Sequence, residues 1–185
     1  MKNKKINSIE HADVMTDPRR KYYWDRVKYE GRRYPKFHWP TVEMFLNVVL
    51  AYDILTTHFA RRMAKYGLSI SAFNILMILS RSEGKGCKQR DLSSLMLVSR
   101  ANVTGLIDSL VRQGFVTRTA SQKDRRVCIA KITKAGDDLL EQLLPWHYEE
   151  MSRVAADMSL QEKENLSRLL TRLRISFVKR LESEV

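Results

Sequence analysis

Apolar residues recur at helical spacing through most of this chain. Val42, Phe45, Leu46, Val49 and Leu50, then Phe59 and Met63, fall on one stripe. Thr41 behind Pro40 is placed to cap that helix, and Gly67 to end it. Ser71 opens a second helix carrying Phe73, Ile75, Leu76, Ile78 and Leu79, and Gly84 and Gly86 make 81–86 a turn. Residues 88–96 predict a short helix with Leu92, Leu95 and Met96 on one side. Ser99 then caps another, with Val103, Leu106, Ile107, Leu110 and Val111 as its buried stripe and Gly114 as its end. The pattern changes next: 115–120 and 126–132 are β-branched runs on either side of a polar turn and predict two strands. Thr133 caps a helix with Leu139, Leu140, Leu143 and Leu144, which Pro145 is expected to kink or interrupt. Ser159 and Glu162 have capping-box spacing before a last helix striped by Leu166, Leu169, Leu170, Leu173, Phe177 and Leu181.

Ahead of these elements the pattern fails. Residues 1–20 are polar, without an apolar period, and read as flexible. Residues 21–40 hold 7 of the 16 aromatics, Tyr22, Tyr23, Trp24, Tyr29, Tyr34, Phe37 and Trp39. Aromatics need burial, so this arm packs on something: its own core, a dimer partner or DNA. Pro35 and Pro40 argue for an extended or turn-like path.

Charge changes the picture. The chain of 185 residues carries 33 Lys and Arg against 21 Asp and Glu, a net charge of +12. Residues 1–40 hold +6, 41–98 hold +3, 99–134 hold +6 and 135–185 hold −3. A localised positive excess suits a polyanion, nucleic acid before anionic membrane. Two cysteines, Cys87 and Cys128, make no disulfide framework, so a reducing, cytoplasmic setting is expected. No uncharged apolar run approaches the roughly 18–20 residues that span a bilayer, and the first residues lack the apolar stretch of a signal peptide.

Helix, three-residue turn, helix and two-stranded hairpin is the order of a winged helix-turn-helix, which makes the fold mainly α with a small β-hairpin wing. Its second helix would enter the major groove. Ser99, Arg100, Asn102 and Thr104 lie opposite the buried stripe, and Val103 belongs to the same candidate reading segment. Arg pairs with guanine and Asn with adenine in bidentate geometry. On the hairpin, Arg118, Lys123, Arg125 and Arg126 are candidate DNA contacts, with Asp124 placed to fix one guanidinium. Lys88, Gln89 and Arg90, at the start of the first helix of the pair, are candidates for the phosphate backbone. A polar helix face and a charged turn also occur in proteins that bind no DNA; the two together favour DNA.

These motifs resemble a family. The run Asp124-Arg125-Arg126, followed by residues 127–136, is similar to the wing signature of MarR-type transcription regulators. So is the stretch from Leu92 through Ser99, Arg100, Asn102, Val103, Thr104 and Leu110 to Gly114 and Arg118. The resemblance covers about residues 41–182 in element order. It implies a homodimer that acts as a repressor on a pseudo-palindromic operator, with double-stranded DNA as partner. It divides the chain into an arm (1–40), an N-terminal dimerisation helix (41–70), the winged helix-turn-helix (71–136) and C-terminal dimerisation helices (137–185). By the same resemblance Arg126 enters the minor groove, oriented by Asp124. Two positions depart from the family pattern: Gly105 stands where a larger residue is common, and Lys88 where Ser or Thr usually caps.

The resemblance also implies control by a small phenolic or aromatic acid, or its coenzyme A thioester. His58 and Arg62 share a helix face at i, i+4, near Phe59 and Tyr52, and such a set suits one charge plus several ring contacts; a dimer-facing or partly exposed helix surface has the same composition. The histidines are scattered, without metal-ligand spacing, and no cofactor is expected. Phosphate-loop, zinc-protease and nucleophile-elbow motifs are missing, so no enzyme is expected. The remaining alternative is a non-specific or architectural nucleic-acid binder that uses the basic arm and wing.

Overall fold

A computed structural model describes residues 18–82, 84, 86–96, 100–120 and 127–183. Helices α1 (Pro18–Gly31), α2 (Trp39–Ala64) and α3 (Ile70–Ser80) precede strand β1 (Cys87–Lys88), α4 (Gln89–Met96) and α5 (Arg100–Arg112). Strands β2 (Val116–Ala120) and β3 (Cys128–Ile132) follow, then α6 (Lys134–Val154) and α7 (Leu160–Ser183). The chain divides after Ile70 into two compact units.

In the first unit the expected extended arm is a helix. Pro18 begins α1, where a missing N–H costs nothing. Trp24 is buried and its indole Nε1 donates to Glu43 Oε1 at 3.0 Å, tying α1 to α2. Two tight turns bring the chain round: Tyr34 N–H donates to Gly31 O at 2.9 Å and Phe37 N–H to Tyr34 O at 3.0 Å. A Cβ at Gly31 would run into the Phe37 ring. The aromatics therefore seat a helical hairpin, with Phe37 and Trp39 rings 6.3 Å apart and the Lys28 ammonium 5.3 Å from the Trp39 ring. Prolines flank the helices rather than break them. Residues 1–17 lie outside the described residues.

Helix α2 starts two residues before Thr41. Its N-cap is His38, in extended backbone, and Pro40 sits in the first turn. Thr41 Oγ1 lies 2.8 Å from His38 Nδ1 instead of capping. Of the expected stripe only Phe59 and Met63 are buried in α2, while Met44, Val49, Ile54 and Leu55 are exposed.

The second unit holds a three-stranded antiparallel sheet of order β1-β3-β2, one strand more than the expected hairpin. Lys88, expected in a helix, pairs with Ile129, and Cys87 with Ala130. Two residues are too few to show alternation, so β1 leaves no pattern in the sequence. The hairpin itself matches the expected runs, in register from Val116↔Ile132 to Ala120↔Cys128. The core joins Phe73, Ile75, Leu76 and Leu79 of α3 to Leu92 of α4, Val103, Ile107 and Leu110 of α5, Val116, Ala130, and Leu139, Leu140 and Leu143 of α6.

Helix α6 continues through Pro145 without interruption. Proline removes one backbone hydrogen bond, but Leu139, Leu140 and Leu143 seat the preceding turns in the core. The capping box forms before α7: Ser159 N–H donates to Glu162 Oε2 at 2.8 Å and Glu162 N–H to Ser159 Oγ at 3.3 Å. Hydrogen bonds from the Ser159 hydroxyl and backbone hold the Glu162 carboxyl below its usual range. Helix α7 buries no residue; of its stripe, Leu166, Leu169, Leu170, Phe177 and Leu181 are exposed and Leu173 is half-buried.

Candidate nucleic-acid interface

Helices α4 and α5 pack on each other, and α5 packs on β2. Val103, Ile107 and Leu110 seat α5 in the core with no surface left to solvent. The opposite face presents Ala101, Asn102 and Gly105. Val103, expected among the reading residues, is therefore corrected: its side chain is wholly inside and unavailable to a groove. Val111, expected in the buried stripe, is exposed.

Polar links fix α5 in place. The Gln89 amide donates to the Thr104 hydroxyl across α4 and α5. Both residues were expected to face DNA; each is half-buried, and together they brace the two helices. Asp108 on α5 takes an ion pair from Arg118 on β2, Oδ1 to Nη2 2.6 Å. Arg118 thus ties the wing strand to the helix. The hairpin root is bound in turn to α6. Thr133 Oγ1 donates to Gly114 O at 2.7 Å and accepts from Gly136 N–H at 3.1 Å, while Thr133 N–H donates to Phe115 O at 3.0 Å. Gly114 turns with φ +78°, a conformation that favours glycine.

Lys88 and Arg90 are exposed, and Arg90 Nε lies 3.6 Å from Asp91 Oδ1. Ser99, the side chain of Arg100, and Lys123, Asp124, Arg125 and Arg126 lie outside the described residues. Asp108 was missed by sequence reasoning; the available signal was a single acid on a helix whose neighbouring strand carries Arg118.

The four residues expected to hold an effector all lie on α2. On α2, Phe59 is buried, His58 stands edge-on to it with ring centroids 5.6 Å apart, and Tyr52 is exposed. The Arg62 guanidinium lies 5.9 Å from the Tyr66 ring. A separate concavity of about 400 Å³ opens beside α5, lined by Ser71, Ala101, Asn102, Gly105 and Leu106. Cys87 and Cys128 are both half-buried. Burial, then the nearby Asp91 carboxylate, pushes the Cys87 thiol above its usual range, which disfavours the reactive thiolate. Among the described residues no three His, Cys, Asp or Glu side chains group to hold a metal, and no helix is long and apolar enough to cross a membrane.

A sequence model of the MarR family matches residues 66–127. The HTH-type transcriptional repressor YetL of Bacillus subtilis (strain 168) is 32% identical over 130 residues, which span 70% of this chain and 78% of YetL. A probable transcriptional regulator from Pseudomonas aeruginosa superposes with a TM-score of 0.63 at 29% identity, over 69% of this chain and 94% of that one. Bordetella bronchiseptica BpsR, whose DNA binding is regulated by 6-hydroxynicotinic acid, superposes with a TM-score of 0.64 over 71% of this chain and 98% of its own. At 19% identity that last likeness is one of fold alone. With the helix–helix–hairpin order, the braced α5 and the identity to YetL together, the chain belongs to the MarR family of transcription regulators.

Proposed function

We propose that the protein is a sequence-specific DNA-binding repressor that acts as a homodimer on a pseudo-palindromic operator. The observation that carries this reading is α5: one face sunk in the core, the other offering Asn102 beside small residues that allow close approach. Asn102 suits an adenine edge. Lys88 and Arg90 supply phosphate contacts, and the charged residues Lys123, Asp124, Arg125 and Arg126, which fall between β2 and β3 in the sequence, serve the adjacent groove. The exposed stripe of α7 supports the dimer, since a row of leucines left in water calls for a second copy. A small aromatic or phenolic acid, or its coenzyme A thioester, releases the DNA. BpsR, which shares the fold, has its DNA binding regulated by 6-hydroxynicotinic acid.

The test starts from a duplex selected by the protein out of a random-sequence pool. Asn102→Ala is expected to relax preference at one base pair of each half-site by about 1–3 kcal/mol, with stability unchanged. Arg126→Ala is expected to weaken binding without altering the fold. A protein that retains every duplex equally would instead be the architectural binder. For the effector, aromatic acids and their thioesters are screened for release of the selected duplex; no release by any of them would remove ligand control.

A further inference from the structure

The hairpin that precedes the family match concentrates charge that the regulator's own core does not need. Residues 18–36 carry eight basic and two acidic side chains, net +6, half of the whole chain's excess. Among the described side chains, packing uses little of this. Trp24, Phe37 and Gly31 do the seating, and Lys28 rests over Trp39. Of the acids, Glu30 pairs with Arg26 at 3.0 Å within the same helix. Arg32, Arg33 and Lys36 stand exposed on the loop between α1 and α2, and none of the ion pairs among the described residues engages them. Tyr29 and Tyr34 flank them, 79% and 58% exposed, and the Arg33 guanidinium lies 5.1 Å from the Tyr34 ring.

A hydrogen-bonded turn that gathers like charges bears repulsion for no internal gain, so the arrangement fits an external polyanion. Arginine, lysine and tyrosine hydroxyl are the side chains that hold phosphate oxygens. Stacking on Tyr34 restricts the Arg33 fork before any contact is made. We propose that this loop is a second DNA-binding surface, which grips the phosphate backbone of the duplex flanking the operator. The proposal rests on the operator-binding reading above. It is sequence-independent by its chemistry, so it lengthens the footprint and raises affinity without changing which operator is chosen.

The test uses the full chain and the triple variant Arg32→Gln/Arg33→Gln/Lys36→Gln, whose altered side chains are exposed and lie outside the winged helix. Each is titrated against the selected duplex in two forms, the bare inverted repeat and the same repeat with about 20 base pairs of arbitrary sequence on each side. The wild type is expected to bind the flanked form at least about tenfold tighter, with a log affinity–log salt slope steeper by about 0.9 per added phosphate contact. The variant is expected to lose that advantage and match the wild type on the bare repeat. Equal wild-type affinity for both forms, or an unchanged flank effect in the variant, would overturn the proposal. Binding to neither form would overturn the operator reading instead. Co-sedimentation with phosphatidylglycerol vesicles at physiological salt, lost in the variant while the flank effect is absent, would assign the loop to a lipid surface and likewise overturn it.

Discussion

Breaking the Arg118–Asp108 pair separates bracing from DNA contact on the wing. The two groups meet at 2.6 Å, with side chains 33% and 46% exposed. In bulk water a charge pair at that distance is worth about 1.6 kcal/mol, and side-chain ordering and screening reduce it to roughly 0.5–1 kcal/mol at this exposure. Across a chain of this length that corresponds to a fall in melting temperature of about 1–4 °C. The DNA effect is larger and differs between partners. Asp108→Ala releases the Arg118 guanidinium, which sits on the wing strand and becomes available to phosphate. The salt slope then steepens by up to about 0.9 per protomer. Arg118→Ala removes a charge already neutralised by Asp108, so the slope hardly changes. The double variant behaves like the wild type in slope. Fluorescence anisotropy with the selected duplex, from about 50 to 200 mM salt, measures all three. If Arg118→Ala alone flattens the slope by a full contact per protomer, Arg118 touches DNA directly and the bracing account is wrong.

Gly105→Ala should stabilise by about 0.5–1 kcal/mol, because the site is helix interior and an added Cβ meets nothing within 4 Å; an unchanged or lower melting temperature would contradict this. Trp24→Ala should cost about 3–5 kcal/mol of stability in the α1–α2 unit, read as early loss of helical signal or faster proteolysis near α1; protection equal to wild type would show that the indole does not seat the helix. His147 packs against the Phe73 ring at 5.1 Å, and burial holds its pKa below the ordinary 6.5. The unfolded chain therefore takes up the proton first. The stabilising contribution is complete above pH 6.5 and is lost as pH falls through that value toward the folded pKa. Between about pH 7.5 and 5.5 the wild-type melting temperature should drop more than that of His147→Gln, and parallel curves would remove His147 from the pH response.

The second unit was legible because its helices carry full apolar stripes and its caps use side chains with known geometry. Val103, Ile107 and Leu110 are buried as the pattern requires, and Thr133, Ser159 and Glu162 cap as expected. Strand β1 was not legible, since two residues joined to the edge of β3 have no periodicity of their own. Helix α1 was hidden by Pro35 and Pro40, which suggest extended chain until Pro18 and Pro40 are seen to occupy first turns, where proline fits. At the interface, Asn102 kept its exposed place, whereas Thr104 and Gln89 proved to be each other's partners. That exchange depends on two elements meeting across the turn, which spacing along one helix does not reveal. The α7 stripe had the right period, but period alone does not tell whether a stripe is buried, and this helix buries no residue.

Hydroxyl-radical footprinting of the selected duplex tests the central claim most directly. Two braced α5 helices, presented by a pair of chains joined through α7, should protect two symmetric stretches whose centres lie about 34 Å apart, one turn of DNA. A single protected stretch, or even protection along the whole duplex, would contradict it.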